Sequence, residues 1–162
     1  GVNTMIYSPT GSGNVGIGFA IPVDTVRRVV NQLIRYGKVV RPTLGIHVAD
    51  DRIVKSLESQ LRRKLEGVLV AEVFANSPAE AAGLQASVLY GDGSYRLGDL
   101  ITDVDDQPVR QVEDLLSAIE EKRAGDTVKL KIQRNCDPRR TETVTSKLVS
   151  RETLQSPVNS RR

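Results

Sequence analysis

The spacing of apolar residues changes several times along the chain, and each change predicts a new element. After Asp24, apolar side chains recur every three or four residues up to Gly37, which predicts an amphipathic helix with an acidic cap and a glycine stop. Residues 128–132 instead alternate apolar with polar, as in a half-buried strand. The same patterns predict further strands at 2–7, 15–21, 46–48, 68–73, 98–101 and 141–148, and further helices after Asp51, after Ser77 and at 112–119.

The order of these elements predicts an α+β, mainly β fold in which a half-open sheet carries two or three helices. Residues 1–37 form a separate hairpin and helix, which bury too little to fold alone, so we expect this unit to dock on further structure. Residues 38–149 hold the rest of the periodic pattern. From about residue 150 the periodicity is lost, and 150–162 are expected to be a disordered tail.

Composition excludes several classes of protein. The chain has 162 residues with no Trp and two Phe, so its core has to be aliphatic. Its net charge of +3 is located in residues 147–162, and because the remainder is neutral overall, no basic face for nucleic acid is predicted. The single cysteine excludes an internal disulfide and a Cys-rich metal site. No apolar run reaches the ~20 residues of a membrane-spanning helix.

The most informative stretch is 41–48, which reads RPTLGIHV. Pro42 stiffens the backbone, and Gly45 permits conformations closed to other residues and a close approach by another chain. Ile46 and Val48 then alternate with His47, as in a short strand with one buried face. A turn that exposes successive N–H groups before an open strand edge can hold a peptide carboxylate and pair with the peptide behind it. The same residues also fit an ordinary connection between two strands.

An apolar helix stripe supplies the second half of this hypothesis. Val112, Leu115, Leu116 and Ile119 recur at the spacing of one helix face. Such a face could line a groove beside the strand, or it could be core, and a helix can share its stripe between the two.

Two motifs invite a cofactor or metal and are rejected. Gly11, Gly13 and Gly16 have the spacing of a dinucleotide fingerprint, but the loop leads into a strand, and no acidic residue follows about 20 residues later. The carboxylates of Asp99, Asp103, Asp105 and Asp106 lack the spacing, glycine and closing glutamate of a calcium loop. We expect no cofactor and no metal.

Nucleophilic chemistry is also not predicted within this chain. His47 is the one histidine, and it falls within a strand without a nucleophile motif nearby, so it is expected to be a strand-face residue that can touch a ligand. Cys136 sits in a polar turn beside Asp137 and is expected to be an exposed thiol of ordinary character, its pKa raised by the neighbouring acid.

Several motifs in order resemble the HtrA/Deg family of serine endopeptidases. The segments GVNT at 1–4, GIGFAIP at 16–22 and YGKV at 36–39 are similar to the end of the family's protease domain. TLGI at 43–46, SPAEAAGL at 77–84 and GDLI at 98–101 are similar to signatures of the PDZ domain that follows it. The resemblance covers about residues 1–149. It implies a C-terminal fragment: residues 1–37 as the remnant of a chymotrypsin-like β-barrel and 38–149 as a PDZ domain, a partly open β-barrel with two to three helices.

The resemblance also implies roles for individual residues. Substrate would pair with the strand that holds Asn3, Thr4, Met5 and Ile6, and Gly16, Ile17, Gly18 and Phe19 would help to form the specificity pocket. The peptide carboxylate would be held by the N–H groups of Leu44, Gly45 and Ile46, with Arg41 and Thr43 beside them. The groove would be lined by His47, Val48, Val112, Leu115, Leu116 and Ile119. The catalytic Ser, His and Asp of the family would lie upstream of Gly1, so this chain alone is expected to be inactive.

The family implies an ATP-independent protease of protein quality control that assembles as trimers or multiples of them. The partners would be C-termini or extended segments of unfolded proteins. A long loop at 85–96 is similar to plastid and cyanobacterial relatives, which favours a plastid (thylakoid lumen or stroma) or a bacterial periplasm. Two alternatives remain open, a non-enzymatic adaptor that binds partner C-termini and a PDZ domain that gates protease access and assembly.

Overall fold

A computed structural model describes residues 2–6 and 18–155, which divide into two compact units with the boundary in the sequence between Val40 and Arg41. The first unit holds an antiparallel pair of strands, β1 (Val2–Ile6) and β2 (Gly18–Ile21), followed by helix α1 (Val23–Tyr36). The expected loop between the strands lies outside the described residues, as do Gly16 and Ile17. Over the described ranges, every helix is too short or too polar to span a bilayer.

Helix α1 confirms the predicted amphipathic pattern but begins differently. Pro22, not Asp24, is the residue before the helix, and Asp24 lies in the first turn, where its charge suits the helix dipole. At the other end, Gly37 adopts a left-handed φ of 69° and its N–H donates to the Leu33 carbonyl, as the glycine stop predicts. No described residue of α1 is buried within its unit.

The second unit is built around one six-stranded antiparallel sheet, to which short strand pairs and four helices are added. Its elements are β3 (Pro42–Thr43), β4 (Ile46–Val48), α2 (Asp51–Leu61), β5 (Val68–Val73), α3 (Pro78–Ala81), β6 (Val88–Leu89), β7 (Tyr95–Arg96), β8 (Leu100–Val104), β9 (Gln107–Pro108), α4 (Val112–Glu120), β10 (Thr127–Gln133), a 3₁₀ turn (Arg134–Cys136), β11 (Thr141–Lys147), β12 (Val149–Ser150) and α5 (Arg151–Gln155).

The sheet runs in the order β11, β10, β8, β5, β4, with β9 paired to β8. Strand β10 confirms the predicted alternation, because Val128, Leu130 and Ile132 are fully buried while Lys129 and Lys131 are exposed. Strand β3, which leads into the loop at 43–46, pairs with β12 near the end of the described chain.

Two apolar clusters occupy the two faces of this sheet. The larger cluster joins β5, β8 and β10 to helix α4 through Leu115 and Ile119. The smaller cluster lies under α2 and includes Leu69, Leu100 and Cys136. Apart from Cys136, the buried residues of both clusters are aliphatic, as composition requires.

Several helix ends differ from the sequence-based prediction by a few residues. The cap of α2 is Asp50, whose carboxylate accepts from the Arg52 N–H, so Asp51 is already helical. The basic residues expected in its last turn lie beyond it, because Arg62 ends the helix with φ 51°. Ser77 caps α3 as predicted, but the Glu80 carboxylate accepts from Asn76 instead of completing the box with Ser77.

Two segments expected to be irregular contain structure. The loop at 85–96 holds the small hairpin of β6 and β7, fastened by a hydrogen bond from the Tyr95 hydroxyl to Gln60 (2.8 Å). The tail expected to be disordered from about 150 contains β12 and α5 as far as Gln155, because pairing with β3 supplies backbone partners that periodicity does not reveal. Residues 156–162 lie outside the described range.

Candidate peptide-binding groove

Strand β4 lies at one end of the sheet and, among the described strands, has a neighbour on one side only. Residues along an antiparallel pair alternate between bonding to each other and pointing their polar groups outward. The Phe74 N–H donates to the Gly45 carbonyl (3.0 Å), and the Ala49 N–H donates to the Leu69 carbonyl (2.9 Å). These bonds flank Ile46 and Val48, so the N–H and C=O of both residues point away from β5, toward the open edge.

The loop before β4 is held in place on several sides. The Leu44 carbonyl accepts from the Ala79 N–H (3.0 Å), which ties the loop to helix α3. Gly45 has φ +76°, and a Cβ there would lie 2.5 Å from Ser77 Cβ and 2.8 Å from Leu154 Cδ1. Only glycine fits this position. The Gly45 N–H donates to Thr43 Oγ1 (3.1 Å), which closes the turn from within.

Helix α4 lies beside β3 and contributes its apolar stripe unequally. Leu115 and Ile119 are buried in the larger cluster, and Val112, Ile46 and Val48 pack against the same cluster. Leu116 is 55% exposed. The stripe predicted as a groove wall therefore divides into core residues and residues that reach the surface, of which Leu116 reaches furthest.

The beginning of α4 is fixed by one carboxylate. Asp114 accepts from the N–H groups of Arg110 (3.0 Å) and Gln111 (3.2 Å). These bonds stabilise the charged form and lower the pKa of Asp114 below its usual value. The helix thus begins at a defined residue, which fixes where its stripe meets the sheet.

The opposite face of the β4–β5 pair carries a polar and aromatic cluster. His47 Nδ1 lies 2.9 Å from Glu72 Oε2, and the His47 ring meets the Phe74 ring edge-on at 4.6 Å between centroids. The side chains of His47 and Glu72 are 64% and 62% exposed. Sequence reasoning named His47 but missed Glu72 and Phe74, because their proximity depends on the register between β4 and β5.

The remaining candidate chemistry lies elsewhere in the second unit and is structural. Asp99 is fully buried, and its Oδ2 accepts from Arg134 (2.7 Å) and from the Gln85 N–H (2.8 Å). Burial raises the pKa of Asp99, against the lowering effects of the Gln85 N–H and the Arg134 guanidinium. The same guanidinium also donates to Glu142 (2.8 Å) and to the Gly83 carbonyl (2.7 Å).

Cys136 is buried, and its expected exposure is wrong. The Cys136 thiol lies 3.7 Å from the Gly98 carbonyl. The backbone carbonyl of Cys136 accepts a hydrogen bond from the Arg63 guanidinium. Burial raises the pKa of this thiol to about 11, so the cause is loss of water and not the neighbouring Asp137. The polar turn in the sequence folds inward here, with φ 58° at Cys136.

The acidic residues considered for calcium have separate partners. Asp105 pairs with Lys122 (2.5 Å) and accepts from the Lys129 N–H, and Asp106 pairs with Lys129 (2.7 Å). The hydrogen bond from Lys122 lowers the pKa of Asp105. Within residues 2–6 and 18–155, no group of three or more His, Cys, Asp or Glu side chains could hold a metal ion.

The residues assigned to the protease remnant belong to the first unit. Asn3, Thr4, Met5 and Ile6 lie on β1, and Gly18 and Phe19 lie on β2. Their roles remain predictions from the resemblance.

Comparisons with known proteins identify the family to which the second unit belongs. Residues 42–145 match the family described as PDZ domain. Protease Do-like 1, chloroplastic, from Arabidopsis thaliana is 43% identical over 134 residues, which are 83% of this chain and 29% of that protein. The periplasmic pH-dependent serine endoprotease DegQ of Escherichia coli is 36% identical over 140 residues, 85% of this chain and 28% of its own length. The chain therefore spans less than a third of each of these two relatives.

Solved structures show the same relationship. The HtrA-type protease AlgW S227A with decapeptide matches with a TM-score of 0.67 at 27% identity, over 99% of this chain and 43% of that one. The fold and the sequence match together define the class as a PDZ domain. The chain belongs to the PDZ domain family, in the form carried by HtrA/Deg-type serine proteases.

Proposed function

We propose that residues 41–155 bind the C-terminal ends of extended polypeptides by strand addition to β4, as the substrate-recognition part of an HtrA/Deg-type serine endopeptidase of protein quality control. The observation that carries this proposal is the outward direction of the Ile46 and Val48 backbone groups, directly after the Gly45 loop. The peptide would lie between β4 and α4, with its carboxylate at Leu44, Gly45 and Ile46. Arg41, which is exposed beside the loop, would assist by its charge.

Fluorescence anisotropy with labelled peptides ending in Val, Ala or Phe tests this proposal. Each peptide is compared as free acid and as C-terminal amide, because only the acid offers a carboxylate to the loop. We expect micromolar binding of an acid that is weakened at least tenfold by amidation. Equal binding of acid and amide would contradict carboxylate capture, and binding of neither would contradict peptide recognition altogether.

We also propose that the full-length protein is a serine endopeptidase of the HtrA/Deg type. Its catalytic Ser, His and Asp would belong to a part of the protein that this sequence does not contain. A longer protein that includes the family's Gly-Asn-Ser-Gly-Gly segment should cleave unfolded protein and be blocked by serine-directed inhibitors. It should also assemble as trimers or multiples of them, measured by light scattering. A longer protein without that segment would favour the adaptor instead.

A gating role is the second candidate, and one contact favours it. Leu154 of α5 lies against Gly45, so the end of the described chain touches the proposed carboxylate loop. If α5 covers the loop, the Leu154→Ser variant should bind the free-acid peptide more tightly than the wild type does. Unchanged or weaker binding in that variant would contradict gating.

A further inference from the structure

We propose that the cluster of His47, Glu72 and Phe74 selects peptides with Lys or Arg at the penultimate position. This inference rests on the proposed function, since it needs the peptide to lie on β4. It concerns the sheet face opposite the groove and assigns a role to an exposed polar cluster that carboxylate capture does not use.

The register of an added strand places one peptide residue beside this cluster. With the carboxylate at the 44–46 loop and an antiparallel peptide, the last residue lies opposite Ile46 and the third from last opposite Val48, the two positions whose polar groups point outward. The penultimate residue then lies opposite His47. Side chains alternate between faces, so it projects to the face of His47 and away from Val112 and Leu116.

Distance selects for a long side chain at this position. Neighbouring strands are spaced about 4.8 Å apart, so the penultimate Cα lies about 10 Å from the Glu72 Cα, with the His47 ring between them. Short polar side chains do not bridge this gap to the carboxylate. The stem of Lys or Arg can cover the imidazole while its charged end reaches Glu72.

Charge and hydrogen bonding favour a cation. A carboxylate only accepts, so Nδ1 of His47 carries the hydrogen in the 2.9 Å contact with Glu72. Phe74 supports the ring from the side, which fixes the orientation of the pair. The Glu72 carboxylate is exposed at the surface, where it attracts a cationic side chain and repels an acidic one.

The test compares four acid peptides that differ only at the penultimate residue: Lys, norleucine, Ala and Glu. Norleucine keeps the apolar stem of Lys without its charge. Since exposed pairs are weak, we expect Lys to bind about two- to fivefold tighter than norleucine, and Glu to bind weaker than Ala. The preference for Lys should shrink when salt is raised from about 0.05 M to 0.5 M, because the pair is exposed.

Glu72→Gln should bring the Lys peptide to the norleucine level. Glu121→Gln, which removes the same charge at an exposed position after α4, should leave the Lys preference intact. Equal affinity of Lys and norleucine peptides, with acid still preferred over amide, overturns this inference and leaves the proposed function standing. Loss of the acid preference itself overturns both.

Discussion

The two ends of the six-stranded sheet are both edge strands, but they differ in almost every other respect. β4 has three residues, follows a glycine loop and packs its apolar side chains against the core beside α4. β11 has seven residues, is paired with β10 along its whole length and carries exposed Thr, Glu and Lys side chains. Charged and polar side chains of this kind discourage pairing with another chain.

An open edge alone does not make a strand a candidate binding site. β11 also has an outer row of backbone groups, but helix α3 lies next to it and its side chains are polar. β4 combines the features on which the proposed binding depends: the turn at 43–46, outward backbone groups, and apolar side chains that pack on the same cluster as α4. Peptide binding should therefore depend on β4, while β11 should matter for stability.

The largest expected effect is a loss of stability at the β11 end of the sheet, without a loss of peptide binding. Arg134→Ala leaves the buried Asp99 carboxylate without its guanidinium, which should cost about 3–5 kcal/mol of unfolding free energy. Urea denaturation measures the loss, and peptide affinity of the remaining folded protein should not change. The exposed Arg139→Ala is the matched control and should change the unfolding free energy by less than about 0.5 kcal/mol.

The loss of unfolding free energy in Arg134→Ala should depend on pH in a defined direction. The pKa of Asp99 is raised by burial, and loss of Arg134 removes one of the groups that lower it. An acid whose folded-state pKa is raised binds its proton more readily in the folded state, so the deficit of Arg134→Ala relative to wild type should shrink as pH falls through that pKa. A deficit that grows on acidification would contradict the assignment of Asp99 as the residue left unpaired.

The next effect acts on the β4 end. Gly45→Ala places a Cβ at φ +76° against Ser77, which is itself buried, and should cost about 2–4 kcal/mol in unfolding free energy. The loop must shift, so acid-peptide affinity should also fall more than tenfold. Gly93→Ala has a similar φ of +83° with open space around it, and should cost about 1 kcal/mol without loss of affinity. Equal behaviour of the two variants would show that the loop at 43–46 needs no close fit.

A third prediction alters the peptide and leaves the protein intact. N-methylation of the third residue from the end removes the N–H that should meet the outward Val48 carbonyl, so affinity should fall about tenfold. N-methylation of the penultimate residue removes an N–H that points away from β4 and should change affinity less than twofold. Anisotropy titration measures both, and a reversed order would place the peptide in another register.

Local features of this fold could be predicted from sequence. β5 coincides with the apolar run at 68–73, the Ser77 cap and the stop at Gly37 follow from local chemistry, and α4 follows from its stripe. These signals depend on neighbours within about four residues, which the sequence displays directly.

Contacts between distant segments could not be predicted in the same way. Asp99 and Arg134 are 35 residues apart, and His47 and Glu72 are 25 apart, so each pair depends on strand register. Cys136 looks exposed because its neighbours are polar, although the turn folds onto Gly98. Within α4, the stripe does not distinguish Leu115 from Leu116, because that difference depends on where the sheet lies.

The smallest expected effect comes from the difference in burial between Leu115 and Leu116. Leu115 is a poor probe of the groove, since truncation of a core leucine costs about 2–5 kcal/mol in stability. Leu116→Ser changes a side chain that is already 55% exposed, so the unfolding free energy should change by less than about 1 kcal/mol. If the peptide covers the remaining surface of Leu116, affinity should fall about threefold, because less apolar area is buried on binding. Leu89→Ser on the β6–β7 hairpin, where Leu89 is 76% exposed, should leave affinity unchanged. An equal loss in both variants would mean that the peptide adheres to exposed apolar surface in general, and that β4 is no more a binding edge than β11.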